Sequence, residues 1–256
     1  MTVYLNLELT DRCNLRCRMC GQAQADQVHE APETFMSWET WCALLENLEG
    51  YRDEISLCPH WLGEPTFHPE FDRFIRHAFE RNRGNRLFRE FKLHTNAVVF
   101  DATRVEVLLD CAAMANQASD TFRGVHFSVD AFHRRTYAVV KGVDVRDRVY
   151  ANIERFLERR RARGIEFPKV TLAFIVMPEN RSEVASFVSY WKQVLEAGGE
   201  RVDLVGDWPS GDRDAIYLRR LNQQDQEAAN RLHREALLEM GLIDPGADWT
   251  IAEQSF

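Results

Sequence analysis

The chain of 256 residues sets 32 Lys and Arg against 40 Asp and Glu, a formal net charge of −8, with 45% apolar and 28% charged residues. This is globular composition, which excludes collagen-like, coiled-coil and disordered chains, and the acidic balance argues against nucleic acid as a partner because phosphate contacts need a basic surface. No basic segment followed by an apolar one opens the chain, and no stretch approaches about 18 uncharged apolar residues, so neither a signal peptide nor contact with a membrane is expected and the cytoplasm, where thiols stay reduced, is the expected compartment.

In chain order, Val3–Leu9 alternates and reads as a strand. Trp38–Glu49 reads as a helix with Ser37 as its N-cap, and Glu54–Leu57 as a short strand. Pro69–Arg83 is a helix that opens on Pro and has Gly84 beyond its end. Phe88–His94 is a strand, Asp101–Cys111 a helix capped by Asp101, and Gly124–Val129 a strand. Val145–Arg163 is a long helix ended by Gly164, whose Arg155–Arg163 run reads as a solvated face complementing the helix dipole. Lys169–Val176 is an apolar strand, Asn180–Ala197 a helix with Asn180 as cap, and Arg201–Val205 a strand. The turn-rich segment Gly206–Asp214 precedes a final amphipathic helix, Gln223–Met240. Strand and helix thus alternate about six times, which implies an α/β fold with a parallel sheet and outer helices. Both a three-quarter barrel and an open twisted sheet fit that count, and both place chemistry at the carboxyl ends of the strands.

The six cysteines stand at 13, 17, 20, 42, 58 and 111. Cys13, Cys17 and Cys20 lie within eight residues, on a loop directly after the first strand. A structural zinc wants four ligands, usually as two C-x₂₋₄-C pairs, and no second pair exists here. Three thiolates match an iron–sulfur cluster with one iron left open. A binding or electron-transfer module, with a cluster or zinc completed by Cys58 or Cys111, is the competing reading.

The segment CNLRCRMC has the C-x₃-C-x₂-C spacing of the radical S-adenosylmethionine (SAM) superfamily, and LELTDRCNLRC resembles the branch that often carries a C-terminal SPASM or twitch extension. Further motifs occur in the expected order. Leu62–Thr66 (LGEPT) resembles the GGEP turn, Thr95-Asn96 the TNG strand end, Val125–Asp130 the SxDG strand, Tyr137–Gly142 with Val149–Arg155 the following helix, and Phe187–Lys192 the approach to the sixth unit. The resemblance covers roughly residues 3–205. It departs at Leu62 and Ala131, each in place of a Gly, and in having no cysteine after Cys111, where SPASM and twitch members hold auxiliary clusters.

The resemblance implies a partial (β/α)6 TIM-like barrel with a short C-terminal helical extension, divided into a core over 1–206 and an extension over 207–256. It implies that Cys13, Cys17 and Cys20 hold a [4Fe–4S] cluster, whose open iron binds SAM. Reductive cleavage of SAM would then abstract a hydrogen atom from a C–H bond of a peptide or small natural product, with flavodoxin or ferredoxin as reductant. Without auxiliary clusters, redox-neutral outcomes such as epimerisation are favoured. Met19 and Met177 would touch adenine, or serve only as packing. Gly63, Glu64 and Pro65 would receive the SAM ammonium. Asn96, Ser128 and Lys141 would line the SAM pocket, Lys141 by neutralising the carboxylate or else as a surface residue. Asp130 shares a face with Ser128 and is a catalytic candidate. Cys58 is a second one, as a hydrogen-atom donor, or else a small buried thiol. Trp208 and Arg213 are candidates for contact with a polar substrate, or else part of a surface loop.

Overall fold

The computed structural model describes residues 2–21, 34–51, 54–85, 87–115, 121–222 and 225–246. Seven strands form one sheet: β1 (Val3–Asn6), β2 (Ile55–Cys58), β3 (Glu90–Thr95), β4 (Phe122–Ser128), β5 (Lys169–Val176), β6 (Asp203–Val205) and β7 (Ala215–Arg220). Their order is β1-β2-β3-β4-β5-β7-β6, and every neighbouring pair is parallel. The helices are α1 (Trp38–Asn47), α2 (Phe71–Asn85), α3 (Ala102–Ala115), α4 (Arg134–Lys141), α5 (Arg146–Ala162), α6 (Val184–Glu196) and α7 (Gln226–Glu239). This is the expected α/β open partial barrel. None of the described helices is long and apolar enough to cross a membrane.

Strand alternation sorts the side chains. Phe91, Leu93, Val125, Phe127, Val170, Leu172, Phe174, Ile216 and Leu218 point to the helices and are buried in one continuous core. The residues between them face the concave side, and register aligns them across strands. Asn6 stands opposite Cys58, His94 opposite His126, and His126 opposite Thr171. β5 is largely apolar and mostly buried, with Thr171 and Ile175 half-buried, as a strand inside a parallel sheet requires.

The caps follow the sequence signals. Ser37 Oγ accepts from Thr40 N at 3.1 Å, and Asp101 Oδ1 from Arg104 N at 3.0 Å. Gly164 takes the left-handed φ of +60° just past α5. Several expectations are corrected. Helix α2 runs through Gly84 rather than stopping at it. Arg134–Lys141 forms a separate short helix before α5. Asn180 makes no side-chain cap, because its amide is committed elsewhere, as described below. Arg160 is not solvated: it is 5% exposed and its guanidinium is paired with buried Asp214 and donates to Pro168 O at 2.7 Å. Asp214 also accepts from Val170 N at 2.7 Å, so this ion pair fixes the start of β5 beside the start of β7.

Strand β7 has no counterpart among the expected elements. It enters the sheet between β5 and β6, paired with β5 from Thr171–Ala215 to Val176–Arg220. Its apolar part, Ala215–Leu218, is shorter than a readable period and sits between a turn-rich loop and two arginines. The expected start of the last helix at Gln223 lies outside the described residues.

Candidate active site at the carboxyl ends of the strands

The loop carrying Cys13, Cys17 and Cys20 leaves the end of β1 and is held from two sides. On one side, Glu8 Oε1 accepts from Leu62 N at 2.8 Å and from Gly63 N at 2.9 Å, and Glu64 N donates to Arg12 O at 2.8 Å. The approach leaves no room for a side chain at Gly63, where an added Cβ would lie 1.8 Å from Thr10 O. On the other side, Arg16 N donates to Lys141 O at 3.2 Å and Arg18 N to Val140 O at 2.9 Å, which docks the loop on the end of α4. Gly142 caps α4 at φ +82°, and a Cβ there would meet Arg16 O at 2.8 Å. The three cysteines are free and half-buried.

Glu64 is 3% exposed, so it is no solvated loop carboxylate. Its Oε1 accepts from Thr66 Oγ1 at 2.5 Å, Thr95 Oγ1 at 2.6 Å and Thr66 N at 3.1 Å, and its Oε2 from Asn96 N at 2.7 Å. Burial raises its pKa and the four donors oppose that rise. Asn96 Nδ2 donates to Asn14 Oδ1 at 2.8 Å and approaches Cys13 Sγ at 3.7 Å. The GEP turn, the end of β3 and the first cysteine are therefore one hydrogen-bonded unit.

A second unit joins the ends of β4, β5 and α4. Asp130 is fully buried in the left-handed region, at φ +63°. Its Oδ2 accepts from Ser128 Oγ at 2.9 Å and is paired with Lys141 Nζ, while Oδ1 accepts from Ile175 N at 2.7 Å. Lys141 Nζ also donates to Ser128 Oγ at 3.1 Å. At 1% exposure Lys141 is no surface residue. Burial by itself would lower its pKa, but Asp130 and Cys17 hold it above the usual range. Asn180 Nδ2 donates to Asp130 O and Ile175 O, both at 2.8 Å, and its Oδ1 accepts from Met177 N at 2.8 Å. Met19 and Met177 meet with Val140, Leu221 and Ala229 in one small apolar cluster at this end.

The donor set fits an iron–sulfur cluster. Burial pushes the Cys13 thiol up to about 12 and raises that of Cys17, although Lys141 opposes the rise. Thiolates there call for a cationic partner, and bound iron is one. Among the described residues no three His, Cys, Asp or Glu converge on a single-ion site. A cubane does not ask for that convergence, since each cysteine binds its own iron. Beside Cys17, the buried Tyr137 hydroxyl has no hydrogen-bond partner among the described residues and lies in the field of Lys141. Cys111 sits in the helix-side core and Cys42 on α1.

The concave face gathers several of these candidates around two histidines, His94 and His126, that the sequence reading did not single out. His60, His94 and His126 form a ladder, with ring centroids 5.4 Å apart for His60 and His94 and 4.7 Å apart for His94 and His126. Trp208, from the loop between β6 and β7, lies 5.6 Å from His126 at an interplanar angle of 5°. Tyr217 meets both His126 and Trp208 edge-on. Arg213 pairs with Asp203 at 3.3 Å. Cys58 ends β2 on the same face, 9% exposed, its thiol pushed up to about 12 by burial. The available signal was positional: His94 and His126 occupy equivalent places near the ends of two strands, which becomes visible only once register is known.

The family model described as "Radical SAM superfamily" matches residues 7–190. The chain is 26% identical over 187 residues to the tungsten-containing aldehyde ferredoxin oxidoreductase cofactor-modifying protein of Pyrococcus furiosus, covering 73% of this chain and 47% of that protein. It is 27% identical over 188 residues to GTP 3′,8-cyclase of Microcystis aeruginosa, covering 71% and 50%. The chain thus spans about half the length of the curated relatives it matches. Among solved structures, native anSMEcpe with bound AdoMet superposes with a TM-score of 0.61 at 14% identity, over 93% of this chain and 60% of that one. Coproporphyrinogen III oxidase (HemN) from Escherichia coli gives 0.52 at 15%, over 94% and 51%. These two likenesses show the shared fold. With the family model spanning most of the chain, from the end of β1 into α6, and the three-cysteine loop seated where the strands end, the chain belongs to the radical SAM superfamily.

Proposed function

We propose that this chain is the catalytic core of an enzyme that cleaves SAM reductively and removes a hydrogen atom from a C–H bond of a peptide or small natural-product substrate. The superfamily's cofactors are a [4Fe–4S] cluster and SAM, which together supply a 5′-deoxyadenosyl radical when bound. The observation that carries the reading is the double clamp on the cysteine loop, by Gly63-Glu64 on one side and the end of α4 on the other.

In this reading Cys13, Cys17 and Cys20 hold the cluster, and Asn96 hydrogen-bonds the sulfur of Cys13. The backbone of Gly63, Glu64 and Pro65 receives the SAM ammonium, with the Glu64 carboxylate anchored by its four donors so that the turn does not move. Ser128 and Lys141 stand ready for the SAM carboxylate, with Asp130 orienting both. Met19 and Met177, already in one apolar patch, cover the adenine and exclude water. Cys58 stays a neutral thiol at physiological pH and can return a hydrogen atom to a product radical. Flavodoxin or ferredoxin supplies the electron, and the cytoplasm is the compartment.

The test is anaerobic reconstitution followed by SAM and dithionite. Release of 5′-deoxyadenosine that Cys17→Ala abolishes is the expected result. No release from protein with confirmed iron and sulfide would overturn the reading.

A further inference from the structure

The substrate side of the site can be read more closely, on the footing that the concave face receives substrate. We propose that His60, His94, His126 and Trp208 form a stacking wall that takes a planar heteroaromatic ring of the substrate.

Four observations carry this. First, the rings are arrayed in sequence along one face, from the turn after β2 through β3 and β4 to the β6–β7 loop, at spacings of 5.4, 4.7 and 5.6 Å, with the last two pairs stacked. Such aromatic faces attract other planar rings. Second, Trp208 shows that the wall accepts a flat ring. It comes from a loop rather than from the sheet, lies within 5° of the His126 plane, and is 48% exposed.

Third, all three imidazoles are half-buried on this face. Burial holds all three below their usual pKa, with the Arg219 charge adding to the effect at His94 and His126. Each is thus neutral and offers one N–H donor and one ring-nitrogen acceptor. A purely hydrocarbon ring would leave these groups without partners, whereas a heteroaromatic ring edge supplies both kinds. Fourth, the cations Arg219 and Lys92, the latter paired with Glu90 at 3.3 Å, lie on the same face, and both act against a positive charge at His94. An uncharged planar ring with donors and acceptors on its edge satisfies every element of the wall. A nucleobase-like heterocycle has this chemistry in full, whereas the indole of a peptide substrate shares the planar face and one N–H donor only.

The experiment is isothermal titration calorimetry on the full chain, reconstituted with its cluster and saturated with SAM under anaerobic conditions. The probes are guanosine, N-acetyltryptophanamide and, as the non-aromatic control, ribose. At least one ring probe is expected to bind saturably while ribose does not, and whichever binds identifies the source of the ring. His126→Ala and Trp208→Ala are each expected to weaken binding by ~3- to 10-fold, the loss of one aromatic partner. His126→Phe keeps the face and removes the ring nitrogens, so it should weaken guanosine more than the tryptophan derivative. Trp208 lies in a half-exposed loop, so its variant reports on the wall even if the His126→Ala protein fails to fold. The inference is overturned if no ring probe binds, if ribose binds as well as the rings, or if Trp208→Ala leaves ring binding unchanged. Release of 5′-deoxyadenosine is read separately, so loss of the ring site and loss of SAM cleavage are distinguishable.

Discussion

Gly63→Ala places a methyl group where two backbones already touch. Its Cβ would lie 1.8 Å from the carbonyl oxygen of Thr10, 2.7 Å from the Thr10 carbonyl carbon and 2.9 Å from the carbonyl oxygen of Arg12. Since ordinary contact needs about 3.5 Å, the two segments must separate by more than ~1 Å. Neither yields freely: Glu8 grips the amides of Leu62 and Gly63, and Glu64 N is bonded to Arg12 O. The strain passes into the segment that leads to Cys13, one residue beyond Arg12. Overpacking of this kind costs ~1–3 kcal/mol, which a domain of this size survives. A displacement of about 1 Å at reacting groups lowers a rate by roughly 100-fold. The variant should therefore fold, with an unchanged far-UV spectrum, and either load less iron or release 5′-deoxyadenosine ~100-fold more slowly. The assay is iron and sulfide content after anaerobic reconstitution, then chromatographic quantification of 5′-deoxyadenosine. A fully loaded Gly63→Ala protein cleaving SAM within about threefold of the unmodified chain, rather than ~100-fold below it, would refute the clamp.

Three further outcomes follow from the same geometry. Lys141→Met strands the Asp130 carboxylate in a dry site and should destabilise the protein by ~3–5 kcal/mol in urea titration, with Asp130→Asn in the same chain restoring most of the loss because Asn also tolerates the left-handed backbone; a single variant as stable as the parent would count against the pair. His60 and His126 titrate near 4 and 3 in the folded chain, against ~6.5 when unfolded, so the unfolded state takes up protons first as the pH falls. Their contribution is complete above pH ~6.5 and declines toward pH 4, and a urea midpoint that stays flat across that window would exclude it. Asn96→Ala removes a hydrogen-bond donor from the Cys13 sulfur and should shift the cluster potential to more negative values in an EPR-monitored redox titration, since bonds to sulfur help set that potential; an unmoved potential would place Asn96 in a purely structural role.

Much of this could be read before any coordinates. The α/β alternation, the apolar β5 and the caps at Ser37, Asp101 and Gly164 are local signals, and the chain obeys them. The three-cysteine loop is also local: its cysteines are close in sequence, so their spacing suggests a cluster before any fold is known. Gly84 misled because a glycine can end a helix but need not, and α2 runs through it. Strand β7 escaped because four apolar residues between a loop and two arginines carry no period, and only pairing with β5 makes them a strand.

The sequence by itself determined the strand–helix alternation and the close spacing of the three cysteines proposed to hold the cluster, since both are written in residues a few positions apart. Tertiary structure decided which distant groups meet. Lys141 finds Asp130, Arg160 finds Asp214, Asn96 reaches Cys13, and histidines from β3, β4 and the turn after β2 come into one ladder beside Trp208. Each of those contacts depends on parallel register and on the exclusion of water from a shared face, and neither is a property of any short stretch of chain.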